Sequence, residues 1–130
     1  MAAAPSIPRL LLDRLAQDAA RELFFEKRDG RWVGTTGGRA LAETRALAAA
    51  LAALGIRKGD RVAIMGECCG RWSLLDLAVL AIGAVTVGVY TTSSAPQVGY
   101  LLGHSGARAI FLDRPEHRAK VEAVVASLKK

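Results

Sequence analysis

The chain has 130 residues, the size of one ordinary domain, and is 52% hydrophobic and 23% charged, which excludes a disordered or fibrous protein. Lysine and arginine number 18 against 12 acidic residues, a net charge of +6, but the basic residues are scattered among acids. Aromatics are only 5%, so no stacking platform for nucleic acid is expected.

Ser6 is placed to cap a first helix that accepts Pro8 in its opening turn. Leu11, Leu12, Leu15 and Ala19 then recur at three- and four-residue spacing, the mark of an amphipathic helix. Leu23 to Glu26 and Arg31 to Val33 read as short strands. Asp29-Gly30 between them suits a two-residue hairpin turn, which needs positive φ. The start, Met1 to Ala4, has no basic stretch ahead of an apolar one, so no secretory leader is expected.

From Ala40 to Leu54 the chain is rich in alanine and leucine and stops at Gly55, a natural left-handed residue. Lys58-Gly59-Asp60 turns it into a strand over Arg61 to Met65. A helix over Trp72 to Ala84, a strand over Val85 to Tyr90 and a helix over Pro96 to His104 follow. Ser105-Gly106 then precedes a strand over Arg108 to Leu112, and Asp113 is expected to cap a last helix opened by Pro115. Residues 1–39 thus read as helix plus β-ribbon and 40–130 as αβαβαβα, together one partial domain. The fold class is α/β: a helix and hairpin, then βαβαβα with a small parallel sheet. The strand cores are apolar runs, as in strands covered on both faces. Leu74 to Val89 is the most apolar stretch, but it falls short of the roughly twenty residues of a membrane span. Asp76 interrupts it. Peripheral membrane contact stays open on charge grounds.

Four groups of residues invite chemistry, and each has a plainer reading. Gly34-Thr35-Thr36-Gly37-Gly38-Arg39 offers the glycines, hydroxyls and arginine of a phosphate cradle, yet lacks the lysine spacing of a P-loop. The plainer reading is a flexible polar exit from the hairpin. Tyr90 to Ser94 follows a parallel strand, where ligands sit in open α/β sheets. Its plainer reading has Ser94 capping the next helix. His104 and His117 show no carboxylate or cysteine partner at ligand spacing, and suit helix-terminal carbonyls better. Cys68-Cys69 could place a nucleophile after a strand, but reads more simply as small apolar filler. Two neighbouring cysteines exclude a disulfide scaffold and are too few for structural zinc, and a reducing cytoplasm is the expected compartment. No acid–base pair, triad or metal cluster is readable, so no catalytic, cofactor-binding or metal-binding residue is assigned.

The order of residues is more specific. Gly55-Ile56-Arg57-Lys58-Gly59-Asp60-Arg61-Val62-Ala63-Ile64 resembles the N-terminal region of acyl-CoA synthetases, of the adenylate-forming, AMP-dependent ligase superfamily. Trp72, Asp76-Leu77-Ala78, Gly83-Ala84-Val85 and Val89 to Ser94 continue the pattern, as do Val98, Tyr100-Leu101-Leu102 and Ser105 to Arg108. The flavour is that of long-chain fatty-acid ligases, and the resemblance covers nearly the whole chain. Gly37-Gly38, Cys68-Cys69-Gly70 and Gly88 depart from the family's usual residues.

What the resemblance implies is an enzyme that activates a fatty acid with ATP and Mg and passes the acyl group to coenzyme A. The family's phosphate loop and catalytic lysine lie beyond the matched region, so this chain is expected to be inactive alone. It would then be a fragment or truncated reading frame, binding no cofactor itself, with part of a sheet whose open edge invites self-association. The alternative, from another class, is a non-catalytic α/β interaction module. A small nucleotide-binding domain using Tyr90 to Ser94 ranks third.

Overall fold

The structure, a computed structural model, describes residues 6–128. In chain order the elements are α1 (Ile7–Gln17), β1 (Glu22–Arg28), β2 (Arg31–Thr36), α2 (Gly37–Ala53), β3 (Arg61–Met65), α3 (Gly70–Ala81), β4 (Val85–Gly88), α4 (Ala95–Ser105), β5 (Ala109–Leu112) and α5 (Pro115–Leu128). They fall into two compact units. Of the described residues, one takes 6–55 and 69–82, and the other takes 56–68 and 83–128.

The first unit holds α1, the β1–β2 ribbon, α2 and α3. Ser6 sits at the N-cap of α1 and its carbonyl accepts the Leu10 N–H, but its side chain makes no capping bond. The expected hydroxyl cap is therefore absent. β1 and β2 pair antiparallel up to Arg28 opposite Arg31, and the turn has φ +48° at Asp29 and +79° at Gly30. Both signs are those the Asp-Gly pair predicts. Leu15, Ala40, Leu74 and Leu77 form the unit's core, with Leu12, Leu23, Phe24, Leu41 and Leu47 around them.

Gly34 to Arg39 is not a flexible exit. β2 runs to Thr36, and α2 starts at the next residue. The Thr36 hydroxyl caps α2 by accepting the Arg39 N–H at 3.3 Å. Gly37 donates its N–H to the Arg21 carbonyl and Gly38 to that of Ala19, each at 2.9 Å. A Cβ on Gly37 would lie 2.6 Å from the Asp18 carbonyl oxygen and 2.7 Å from that of Leu15. The two glycines thus answer to the end of α1, which approaches too closely for a side chain. Replacing Gly37 with alanine should cost about 1–3 kcal/mol, read as a lower urea midpoint at unchanged slope.

The second unit holds a parallel three-stranded sheet in the order β4-β3-β5, with α4 and α5. Ala63 of β3 lies opposite Val87 on one side and Ile110 on the other, the adjacency expected from the alternating pattern. Ala63, Met65, Val89, Val98, Leu102 and Val121 are its core. Burial is uneven. β3 is buried from Val62 to Met65, β5 is half-buried, and β4 is half-buried at Thr86 and Val87 but exposed at Val85 and Gly88; among the described residues β4 and β5 are the outer strands. The expectation that all the strands are covered on both faces holds for β3 alone. α3 ends at Ala81, three residues before the predicted end, and Gly83 with φ +77° begins the turn into β4. Among the described residues no helix is long and apolar enough to cross a membrane.

At the entry end of this sheet, Arg61 holds three carbonyls. Its Nε donates to Ser105 at 2.7 Å, Nη2 to Gly106 at 3.0 Å and Nη1 to Gly59 at 3.1 Å. Next to it, Asp60 Oδ2 accepts the Arg57 N–H at 2.8 Å and Arg108 Nη1 at 2.9 Å. The Arg57 N–H, more than Arg108, holds the Asp60 carboxyl below the usual range. The turn into β3 is thereby tied to the turn between α4 and β5. Arg61→Ala should cost about 2–3 kcal/mol by urea denaturation, with Arg61→Lys recovering only part, because an ammonium cannot span three acceptors as a fork does.

Candidate functional site

In an open α/β sheet, ligands meet the protein at the carboxyl ends of the strands, and here those exits belong to the second unit. β3 leads into Gly66-Glu67, β4 into Val89 to Ser94, and β5 into Asp113-Arg114. Asp113 joins two of them. Its Oδ2 accepts the Glu67 N–H at 2.8 Å and its Oδ1 lies 2.7 Å from His117 Nδ1. Asp113 is therefore not a simple helix cap. The carboxylate reaches across to the β3 exit and down one turn of α5.

His117 corrects a second expectation. It has a carboxylate partner four residues upstream, and it is buried at 4% exposure. With Asp113 ionised, Nδ1–H donates and the ring is held by that bond. The Glu67 N–H is the largest cause, and His117 the next favourable side-chain one, of an Asp113 carboxyl held below its ordinary value. The clue was present in the sequence: aspartate and histidine four apart at a helix start lie on one face.

The β4 exit is committed to the fold as well. The Ser93 N–H donates to the Tyr90 carbonyl, and Lys120 Nζ donates to the Thr91 carbonyl at 2.7 Å. Ser94 is the N-cap of α4, and the Gln97 side chain reaches back to accept the Ser94 N–H at 2.8 Å and its hydroxyl at 3.1 Å. Ser94 stands at the N-cap as expected, and the bonds shown there run to the Gln97 side chain. Ser93, Pro96, Gln97, Tyr100 and Leu101 line an open, mostly apolar hollow of about 440 Å³. The Tyr100 ring stacks on His104 with centroids 5.4 Å apart, so His104 serves as a ring face rather than a partner for terminal carbonyls.

Cys68 and Cys69 are both exposed and free, not apolar filler. Cys69 is the N-cap of α3, and the Gly70 N–H just inside the helix donates to Glu26 Oε1 at 2.7 Å. That acceptance and the Arg28 guanidinium, the larger cause, lower the Glu26 carboxyl. The Gly34 to Arg39 amides at Gly37 and Gly38 already have carbonyl partners, which leaves no glycine cradle for a phosphate there. Among the described residues no group of three or more His, Cys, Asp or Glu could hold a metal ion. The strand exits therefore bring together a carboxylate, a buried imidazole and backbone donors, in a set that orders loops.

A family model for AMP-binding enzymes matches residues 12–130. The chain belongs to that family. Over 100 residues it is 41% identical to a long-chain-fatty-acid–CoA ligase, FadD15, of Mycobacterium bovis. That match takes in 77% of this chain and 17% of the ligase, so the chain spans about a sixth of the relative's length. Among solved structures, the N-terminal domain of FACL13 from Mycobacterium tuberculosis superposes with a TM-score of 0.85 at 28% identity, over 95% of this chain and 31% of that one. The N-terminal subdomain of NpsA from Klebsiella oxytoca superposes with a TM-score of 0.72 at 30% identity, over 86% and 28% respectively. This AMP-binding family chain thus has the α/β architecture of the N-terminal part of acyl-CoA ligases, as its residue order suggested.

The Asp113 geometry sets a pH response. Its carboxyl is lowered by folding, so the stability it contributes is present above 3.8, the ordinary value, and is lost as pH falls through the lower folded-state value. Asp113→Asn should cost about 1 kcal/mol at neutral pH, a modest loss because the carboxylate is partly solvated. Its urea midpoint should also fall less than the wild type's between about pH 6 and pH 3.

Proposed function

We propose that this chain is the opening scaffold of an AMP-forming long-chain acyl-CoA ligase. Adenylation of the fatty acid with ATP and Mg, and thioester formation with coenzyme A, fall on parts of such an enzyme outside the matched sixth. The observation that carries the reading is the superposition of 95% of the chain on an N-terminal ligase domain. It is supported by what the polar residues do: Arg61, Asp60, Asp113 and His117 are engaged with turns and backbone of their own unit. Side chains engaged with turns and backbone in this way hold the strand connections in register.

ATP–pyrophosphate exchange with long-chain fatty acids tests the division of labour. The chain alone should give no exchange above background. A chimaera in which it replaces the matching segment of the Mycobacterium bovis FadD15 ligase should keep acyl-CoA synthesis within about tenfold of the parent, since only scaffold is exchanged. Exchange by the isolated chain, or a folded chimaera with no activity, would contradict the reading.

A second reading, a non-catalytic interaction module, is favoured by one feature. β4 and β5 each present an outer edge in a sheet of three strands, and Val85 on β4 is exposed. That reading requires a defined oligomer by light scattering, which charged substitution of Val85 would disperse. The scaffold reading requires no fixed stoichiometry.

A further inference from the structure

The chain's only two cysteines are peptide-bonded neighbours, and both thiols are free and exposed. Their proximity is set by the bond that joins them. On one side of the pair, the Glu67 N–H is fixed on the Asp113 carboxylate at 2.8 Å. On the other, the Gly70 N–H is fixed on the Glu26 carboxylate at 2.7 Å. Each flanking amide is thus fixed within its own unit, and both thiols reach solvent. The Cys69 side chain makes no capping bond to α3, so it is not spent on the helix. Burial, metal binding and disulfide bonding to a third cysteine, the usual reasons to keep a cysteine, do not describe this pair.

We infer that Cys68 and Cys69 form a reversible two-thiol redox element that reacts with peroxide and closes to a vicinal disulfide. In the first step one thiolate attacks the peroxide O–O bond. An S–O bond forms as O–O breaks, and the departing hydroxide takes up a proton to leave as water. The sulfur, now a sulfenic acid, has given up two electrons to the peroxide. The neighbouring thiolate then attacks that sulfur, forms S–S and displaces hydroxide, which leaves as a second water on protonation. A dithiol reductant reverses the closure by exchange.

Geometry makes the closed form easy to reduce. Adjacent Cα atoms lie about 3.8 Å apart across a trans peptide. A relaxed disulfide wants at least about 4.4 Å, so the ring is strained and strongly oxidising. The dithiol is therefore the resting state, and the disulfide persists only while oxidant does. Closing the ring must also move Cys69 from its extended conformation, φ −148° and ψ 173°, at the head of α3. Oxidation should then loosen the first turn of that helix, beginning at Gly70.

Intact and tryptic mass spectrometry of the full chain under non-reducing conditions tests the element, because the peptide of residues 62–71 carries both thiols. Treatment with hydrogen peroxide should remove the mass of two hydrogens from that peptide, and dithiothreitol should restore it. The reduced chain should bind one phenylarsine oxide across both sulfurs and keep it against excess monothiol, while the oxidised chain binds none. Cys68→Ser and Cys69→Ser should each lose arsenical retention to background and gain oxygen on peroxide treatment. Both sites are exposed, and circular dichroism checks that the variants stay folded. Oxygen addition alone in the wild type, intermolecular disulfides alone, or no reaction with peroxide would each overturn the inference.

Discussion

One guanidinium sets the geometry on which the parallel sheet depends. A strand of five residues between two of four has few ladder bonds, and parallel pairing is slightly weaker per residue than antiparallel. Such a sheet needs its register fixed from outside the ladder. Arg61, the first residue of the central strand, does this by holding the carbonyl of Gly59 just before it and those of Ser105 and Gly106, more than forty residues on. Asp60 beside it draws Arg108 in to the same corner. A one-residue slip of β3 would break all these bonds together, and would turn Ala63 and Met65 away from the core they share with Val98 and Leu102.

The opposite end of the sheet is closed by the same kind of bond with the charges exchanged. There a carboxylate, Asp113, gathers a backbone N–H from the β3 exit and an imidazole from α5. Arg61 collects carbonyls at one end and Asp113 collects donors at the other, so side chains tie the turns together at both ends. Preordered loops of this kind suit a scaffold.

Much of this was legible in the residues. The Arg61–Met65 strand matches its predicted bounds, and Gly55 and Gly106 interrupt the chain with φ of +82° and +60° where helices were expected to stop. These signals are local: an apolar run, a turn residue, a left-handed glycine. Several misreadings concern contacts between segments distant in sequence, or function assigned by residue type. Gly37 and Gly38 look like a phosphate cradle until the end of α1 is seen against them. Asp113 looks like a cap because its partner Glu67 lies 46 residues earlier. Cys68 and Cys69 read as filler because cysteine is so often buried, and nothing local shows that the β3 exit leaves them in solvent.

The same distinction explains why the family was recognisable here although no reacting group was. The stretch from Gly55 to Ile64 and that from Ser105 to Arg108 carried the resemblance, and they are the two sides of the Arg61–Asp60 corner. Each residue of that corner constrains the other, so the motif pair is a statement about strand register. It is specific because few substitutions preserve a fork on three carbonyls and an aspartate on two donors. A fold-specifying motif of this sort identifies a lineage without naming a reaction. Function therefore enters through what such a register must support, the exits of β3, β4 and β5, and those exits are already hydrogen-bonded within their own unit.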